Sequence, residues 1–331
     1  MERSKIFWQG RKVLVTGATG LVGPWLVREL LARGSRVVAL IRDLDPQSEL
    51  VKSGDFYKIQ VVNGRCEDFW TLERAVSEHE IDTVFHLAAQ TLVGVGFQSP
   101  LLTFESNIRG TYHLLEACRL HKKFVKRILV ASSDKAYGTQ SVLPYTEEMS
   151  LQGEFPYEVS KSCMDLISQS YYRTYNLPVV IGRFGNIYGG GDLNWSRIVP
   201  GSIRSLLHGE RPVVRSDGTF IRDYIYVKDV VNFYLLLAEH MEGENLQGQA
   251  FNISPGHPVS VLEIVSLLSK LIHHSNIEPI ILNEALGEIH SQYLSSQKAH
   301  DKLNWEPLYT LDDGLSETIA WYKAFFGAKN D

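Results

Sequence analysis

The chain has 331 residues, 44% hydrophobic and 21% charged, the make-up of an ordinary soluble globular protein long enough for a large core and two lobes. Its net charge is -5 and it has no basic run or stripe, which argues against nucleic acid or an anionic membrane as the main partner. Cys66, Cys118 and Cys163 are scattered without CxxC spacing, which argues against a disulfide framework or structural zinc and suits a reducing compartment.

Lys12 to Thr16 is a short β-branched run that predicts a strand. A glycine-rich turn follows, then a helical pattern from Leu21 to Arg33 ended by Gly34, and Arg36 to Ile41 reads as the next strand. The alternation continues with a strand over Lys58–Val62, a helix over Thr71–His79, a strand over Thr83–Leu87 and a long helix over Phe104–His121. Arg127–Ser132 is a strand, Glu158–Tyr175 a long helix and Val179–Arg183 a strand. Strands alternating with helices predict an α/β protein with a Rossmann-type, doubly wound parallel sheet. After Gly185 the pattern turns irregular: a loop at Gly189-Gly190-Gly191-Asp192, a helix over Ile198–His208, a short strand over Arg222–Val227 and a helix over Asp229–Glu239. The expected division is a dinucleotide-binding domain of residues 1–184 and 222–250, and a smaller α/β substrate-binding lobe of residues 185–221 and 251–331.

Gly17-Ala18-Thr19-Gly20-Leu21-Val22-Gly23 is a GxxGxxG turn between the first strand and the first helix. Glycines there permit a tight turn, close backbone approach to a pyrophosphate and close helix packing, and the helix N-terminus offers unpaired N–H groups to the phosphates. Gly17, Thr19, Gly20, Leu21, Val22 and Gly23 are therefore the expected cofactor contacts. The second strand ends Leu40-Ile41-Arg42-Asp43, about twenty residues on, where an acidic residue usually holds the adenosine ribose. Asp43 suits ribose hydroxyls and Arg42 suits a 2′-phosphate, so NAD and NADP both stay open.

Tyr157 and Lys161 are spaced i, i+4 and so share one helix face. A nearby ammonium favours the phenolate, and such a tyrosine can take a hydroxyl proton while hydride leaves carbon. Ser133, at the end of the preceding strand, supplies a second hydrogen bond to that hydroxyl. The next two residues, Asp134 and Lys135, add a carboxylate and an amine, so the expected chemistry continues past oxidation.

On these residues the chain resembles the extended short-chain dehydrogenase/reductases, the superfamily of nucleotide-sugar epimerases and dehydratases. The resemblance runs from about Lys12 to the C-terminal region. It is carried also by His86-Leu87-Ala88-Ala89-Gln90, Asn107 with Gly110-Thr111, Arg183-Phe184-Gly185-Asn186 and Arg222-Asp223-Tyr224-Ile225-Tyr226-Val227. It implies that Ser133 and Tyr157 bind the oxidised hydroxyl and that Lys161 binds the nicotinamide ribose. It implies further that Leu87, Ala88 and Ala89 border the cofactor, and that Gln90, Asn186, Arg197 and Arg222 contact the sugar nucleotide between the lobes. It also implies a homodimer built from the helices Phe104–His121 and Glu158–Tyr175.

Within the superfamily the nearest likeness is to nucleotide-sugar 4,6-dehydratases. Ser133-Asp134-Lys135 resembles the CDP-glucose type, as do Phe7-Trp8-Gln9-Gly10, Ala89-Gln90 and Gly189-Gly190-Gly191-Asp192. Arg65-Cys66 departs from the acid-hydrophobe pair that often holds the adenine, and Arg222-Asp223-Tyr224 is closer to other sugar-nucleotide enzymes. The expected substrate is an NDP-hexose of the CDP-glucose or GDP-mannose type, and the expected product its 4-keto-6-deoxy derivative. Asp134 would protonate the departing C6 oxygen. Lys135 would either remove the C5 proton as a neutral amine or stabilise the C4 enolate as a cation. A 4-epimerase or C4 dehydrogenase on the same scaffold is the competing reading, and a catalytically silent dinucleotide-binding regulator a third. His273, His274 and His300 lack metal-ligand spacing, so no metal is expected. No apolar signal core lies between Met1 and Lys12 and no run spans a bilayer, so the expected location is cytoplasmic and no membrane partner is expected.

Overall fold

The computed structural model describes residues 2–274, 276–284 and 289–327. Its centre is a sheet of seven parallel strands: β1 (Lys12–Thr16), β2 (Arg36–Ile41), β3 (Gln60–Asn63), β4 (Thr83–His86), β5 (Arg127–Ser133), β6 (Val179–Phe184) and β7 (Ala250–Ile253). They lie in the order β7-β6-β5-β4-β1-β2-β3. The order reverses between β1 and β4, the crevice where ligands bind in open α/β sheets.

The strands read as continuous apolar runs because both faces of the sheet are covered. Val13 and Val15 pack on one side with Leu26 and Leu30 of α1 (Val22–Ala32), while Leu14 packs on the other. That second side carries α2 (Phe69–Glu78), α3 (Gly110–Leu120) and α4 (Pro156–Tyr175), through residues such as Leu72, Leu114 and Met164. Side α1 is shared with α5 (Val227–His240), which contributes Val230 and Leu235.

Four elements differ from expectation, one of them the strand expected over Arg222–Val227, which is two short strands, Ile221–Arg222 and Tyr224–Tyr226, in separate sheets. The strand expected over Lys58–Val62 begins at Gln60, because Asp55–Lys58 forms a 3-10 turn in which Lys58 Nζ donates to Asp55 Oδ1 at 2.9 Å. The long helix Phe104–His121 is divided into Pro100–Phe104, a π turn over Glu105–Arg109, and α3. The π turn brings Asn107 to full burial, and a side chain there costs the helix its regular bonding. Helix α4 starts at Pro156 rather than Glu158. A proline loses nothing at the first helical position, and Glu158 Oε2 accepts the backbone N–H of Glu154 and Phe155 at 3.0 and 3.4 Å. Tyr157 therefore sits in the first turn.

The smaller lobe has its own core, with Tyr188, Ile203, Tyr224, Leu268 and Ile319 among its members. It includes the helices Ile198–Leu207, Val261–Leu271 and Leu311–Phe325. The expected division at 250/251 falls inside β7, whose residues pair with Ile181 to Phe184 of β6. The chain also returns to the large lobe later, where Ala299, Leu303 and Trp305 pack in its core. Strand pairing and burial, not sequence order, decide which segment belongs to which lobe.

Candidate active site

Gly17 closes β1 with φ +74°, and a Cβ there would lie 2.7 Å from Ala88 N. A Cβ on Gly23 would lie 2.2 Å from the Gly17 carbonyl oxygen. Protein packing thus requires both glycines. Gly20 differs: a Cβ would meet only Gly17 O, at 3.4 Å, although Gly20 lines the cavity. The protein leaves that backbone open to a ligand, as a dinucleotide pyrophosphate requires. Gly17→Ala is therefore expected to lower the unfolding free energy by about 1–3 kcal/mol in a denaturant titration. Gly20→Ala is expected to leave that value nearly unchanged and to weaken dinucleotide binding, read by fluorescence titration.

Buried hydrogen bonds fix the segment after β4. Thr16 Oγ1 lies 2.8 Å from His86 Nδ1 and Thr111 Oγ1 3.1 Å from Nε2, while Ala88 N donates to Thr16 Oγ1 at 3.2 Å. Burial, helped by the charge of Lys161, lowers the His86 pKa to about 3, so the ring stays neutral. Asn107 Nδ2 donates to Gln90 O and to Ser160 Oγ at 2.9 and 2.8 Å, and its Oδ1 accepts Gln90 N at 2.7 Å. This amide is carried by the π turn.

Ser133 ends β5, and Asp134–Tyr137 forms one 3-10 turn beyond it. Ser133 Oγ donates to Asp134 Oδ1 at 2.9 Å and hydrogen-bonds the Tyr157 phenol. Lys161 Nζ donates to the Ala131 carbonyl at 2.7 Å and lies 5.9 Å from the Tyr157 ring centroid. Burial pushes Tyr157 up to about 12; the Ser133 bond and the charge of Arg197 act downward, and Asp134 acts upward. Burial likewise pulls Lys161 down to about 7, against the attraction of Asp165. The two groups share one face of α4, as their spacing requires, but desolvation outweighs the ammonium when both are buried.

Asp134 is 1% exposed and stands one layer behind the cavity wall, with Lys135 Nζ 3.7 Å from its Oδ1. Its Oδ2 finds no hydrogen-bond partner among the described residues. Asp223 is buried nearby, and burial, with the charge of Asp134, raises its pKa to about 6.

One cavity of about 1190 Å³ runs between the lobes. The cofactor residues expected between Gly17 and Gly23, Arg42 with Asp43, and Leu87 to Ala89 all line it. So do Ser133, Lys135, Tyr157, Lys161, Asn186, Arg197 and Arg222. Gln90 does not line it. Its amide is engaged with the Leu92 backbone, donating to the carbonyl at 3.1 Å and accepting the N–H at 2.7 Å. Its neighbour Thr91 lines the cavity instead and accepts Arg197 Nη2 at 2.8 Å. Arg197 Nη1 is held by Asp192 Oδ2 at 2.9 Å, so this guanidinium bridges the lobes. Arg42 Nε donates to Asp43 Oδ2 at 2.5 Å where both side chains are largely exposed.

Arg204, Glu210 and Arg215 also line the small-lobe wall and went unread in the sequence. Arg204 follows Arg197 by seven residues, two helical turns, which was a usable signal. Glu210 and Arg215 lie outside regular periodicity and gave none. Departing residues Arg65 and Cys66 line the cofactor end, where burial and then Glu67 push the Cys66 thiol up to about 12 and leave it inert.

Below the reaction centre Arg183 forms a fork with Asp165, at 2.8 and 3.0 Å, and donates to Tyr137 OH at 2.6 Å. The fork is fully enclosed and ties β6 to α4, holding the helix that presents Tyr157 and Lys161. Among the described residues no group of His, Cys, Asp and Glu could hold a metal ion, and no helix is long and apolar enough to cross a membrane.

The chain belongs to the NAD dependent epimerase/dehydratase family, whose model matches residues 13–254. It is 28% identical to the CDP-glucose 4,6-dehydratase of Salmonella typhimurium over 97% of this chain and 93% of that protein. Among solved structures it is similar to the dTDP-glucose 4,6-dehydratase of Streptomyces venezuelae with NAD bound, at TM-score 0.87 and 25% identity, covering 96% of this chain and 98% of that one. It is similar to the same degree to the UDP-glucose 4-epimerase of Thermotoga maritima with UDP-glucose, at TM-score 0.86 and 28% identity, covering 95% and 99%. Its relatives are thus nucleotide-sugar 4,6-dehydratases and 4-epimerases, in an NAD-dependent family of enzymes.

Proposed function

We propose that the chain is an NAD-dependent nucleotide-sugar 4,6-dehydratase, converting an NDP-hexose of the CDP-glucose or GDP-mannose type to its 4-keto-6-deoxy derivative. The observation that supports this reading is the Asp134–Lys135 pair beside Ser133 and Tyr157, with Lys135 lining the cleft and Asp134 buried directly behind it. Oxidation alone needs only Ser133, Tyr157 and Lys161. A buried carboxyl group and an amine 3.7 Å apart add an acid and a base to it.

Bound NAD supplies the hydride acceptor at C4 and the donor that completes C6. Tyr157 accepts the C4 hydroxyl proton while Ser133 holds that oxygen by a hydrogen bond. The C4 ketone acidifies the C5 proton, and Lys135, as the neutral amine, accepts it. Asp134, in its protonated form, donates to the C6 oxygen, which leaves as water. Neutral carboxyl plus neutral amine carry the same single proton as carboxylate plus ammonium, so elimination converts the pair from one form to the other without net charge change. Lys135 returns its proton to C5 as C6 is reduced, and the proton taken by Tyr157 restores Asp134. Arg197 and Arg222 provide fixed positive charge for the diphosphate. In the same reading Leu120, Leu166 and Tyr175, exposed on α3 and α4, belong to a homodimer surface.

The competing reading is a 4-epimerase, favoured by the equal similarity to the Thermotoga enzyme. Incubating the protein and NAD with CDP-, GDP-, UDP- and dTDP-hexoses and weighing the products separates the two. The expected result is one nucleotide series whose product has lost one water. Products of unchanged mass in every series would sink the dehydratase reading.

A further inference from the structure

Gln292 lies 157 positions from Lys135 in sequence, on a two-residue strand that pairs with Ile221–Arg222 in the small lobe. It is fully buried. Its Oε1 accepts from Lys135 Nζ at 3.4 Å, the contact opposite the Asp134 carboxylate. Its Nε2 is buried and finds no acceptor among the described residues. An unpaired buried amide donor is costly, about 1–3 kcal/mol, and a leucine or methionine in its place would avoid the cost. An amide differs from every other neutral side chain of this size in offering an acceptor and a donor on one rotatable plane.

Resting on the dehydratase reading, we propose that Gln292 is the positioning residue of Lys135: its carbonyl oxygen holds the ammonium and, with the amide turned over, its NH2 holds the amine. Ammonium has only donors, and Oε1 receives one of them. Once the amine presents a lone pair, Nε2 can donate to it. Nζ therefore keeps its place while it takes a proton from C5 and gives it back. The other charged or titratable groups around the pair are Glu158 on α4, Arg222 beside Gln292, and Asp223, Tyr145 and Tyr157, which face Asp134. Of the described residues, Gln292 is the one whose side chain accepts a hydrogen bond from Lys135 Nζ.

Gln292→Glu and Gln292→Met test this. Glutamate keeps the shape but only accepts, so it favours the ammonium and withholds the base. Methionine fills the space and holds neither form. In single turnovers, hydride arrival on the cofactor is followed by absorbance and water loss by quenched-flow mass spectrometry, across pH. The expected result is a rising limb of water loss displaced upward by at least about one pH unit in Gln292→Glu and downward in Gln292→Met. The pH profile of C4 oxidation should not follow either shift. A purely structural residue would lower the rate without moving the two limbs in opposite directions. Thermal unfolding checks both variants, and the near-isosteric Gln292→Glu shift decides the matter alone if Gln292→Met does not fold. Limbs that coincide with that of the wild type, or that move the same way, overturn the inference. A wild-type product of unchanged mass overturns the dehydratase reading itself, and this inference with it.

Discussion

Tyr157→Phe is expected to slow C4 oxidation by about 10²–10⁴-fold, the usual worth of a positioned proton acceptor. Phenylalanine keeps the ring in its buried place and removes only the hydroxyl that Ser133 bonds. Fold and dinucleotide affinity should stay close to those of the wild type, so the loss belongs to the reaction. The pH dependence sharpens the test. Burial pushes the phenol up to about 12, so near neutrality the acid form dominates and the reactive phenolate is scarce. Its fraction rises about tenfold for each pH unit below that value. Wild-type C4 oxidation, read by cofactor absorbance in single turnovers, should therefore climb with pH. The residual rate of Tyr157→Phe should be flat. A variant that retained both the rate and the slope would show that another group takes the proton.

Asp134→Asn and Lys135→Met carry the second large effect, and they should divide the reaction. Water loss is expected to fall by about 10²–10⁴-fold in each variant. Oxidation at C4 should remain, because Ser133, Tyr157 and Lys161 are untouched. Asparagine preserves the acceptor that Ser133 Oγ uses at 2.9 Å, so the Asp134 change removes acidity and little else. Methionine removes the amine while filling similar space. Reduced cofactor and a 4-keto hexose of otherwise intact mass should then accumulate in both variants. If both still lost water at the wild-type rate, the acid and base would have to be sought among other groups.

The sheet was legible because buried parallel strands are long apolar runs separated by glycine turns, and Lys12–Thr16 or Val179–Phe184 fit that pattern without tertiary help. The helix holding Asn107 was not. Its sequence has an unbroken helical look, and the π turn, from which the Asn107 amide bonds the Gln90 backbone, has no local signature. Nor does the place of Gln90 beside Ala89 show that its amide bonds the Leu92 backbone. The expected boundary at 250/251 falls inside β7, whose pairing with β6 depends on residues about seventy positions away.

Chemistry set by local spacing can be read directly from the order of residues. Gly17 to Gly23, Ser133 with Asp134 and Lys135, and Tyr157 four residues before Lys161 are set by turn geometry and helix periodicity, which act over a few residues. The solvation of those groups and the partners that hold them come from the folded chain. Burial of Tyr157 and Lys161, the Arg197 bridge from Asp192 to Thr91, and the approach of Gln292 to Lys135 arise when distant segments exclude water from one cleft. Desolvation and long-range contact have no signature in the order of residues. They sum over everything that packs around a site, and so they appear only once the chain is folded.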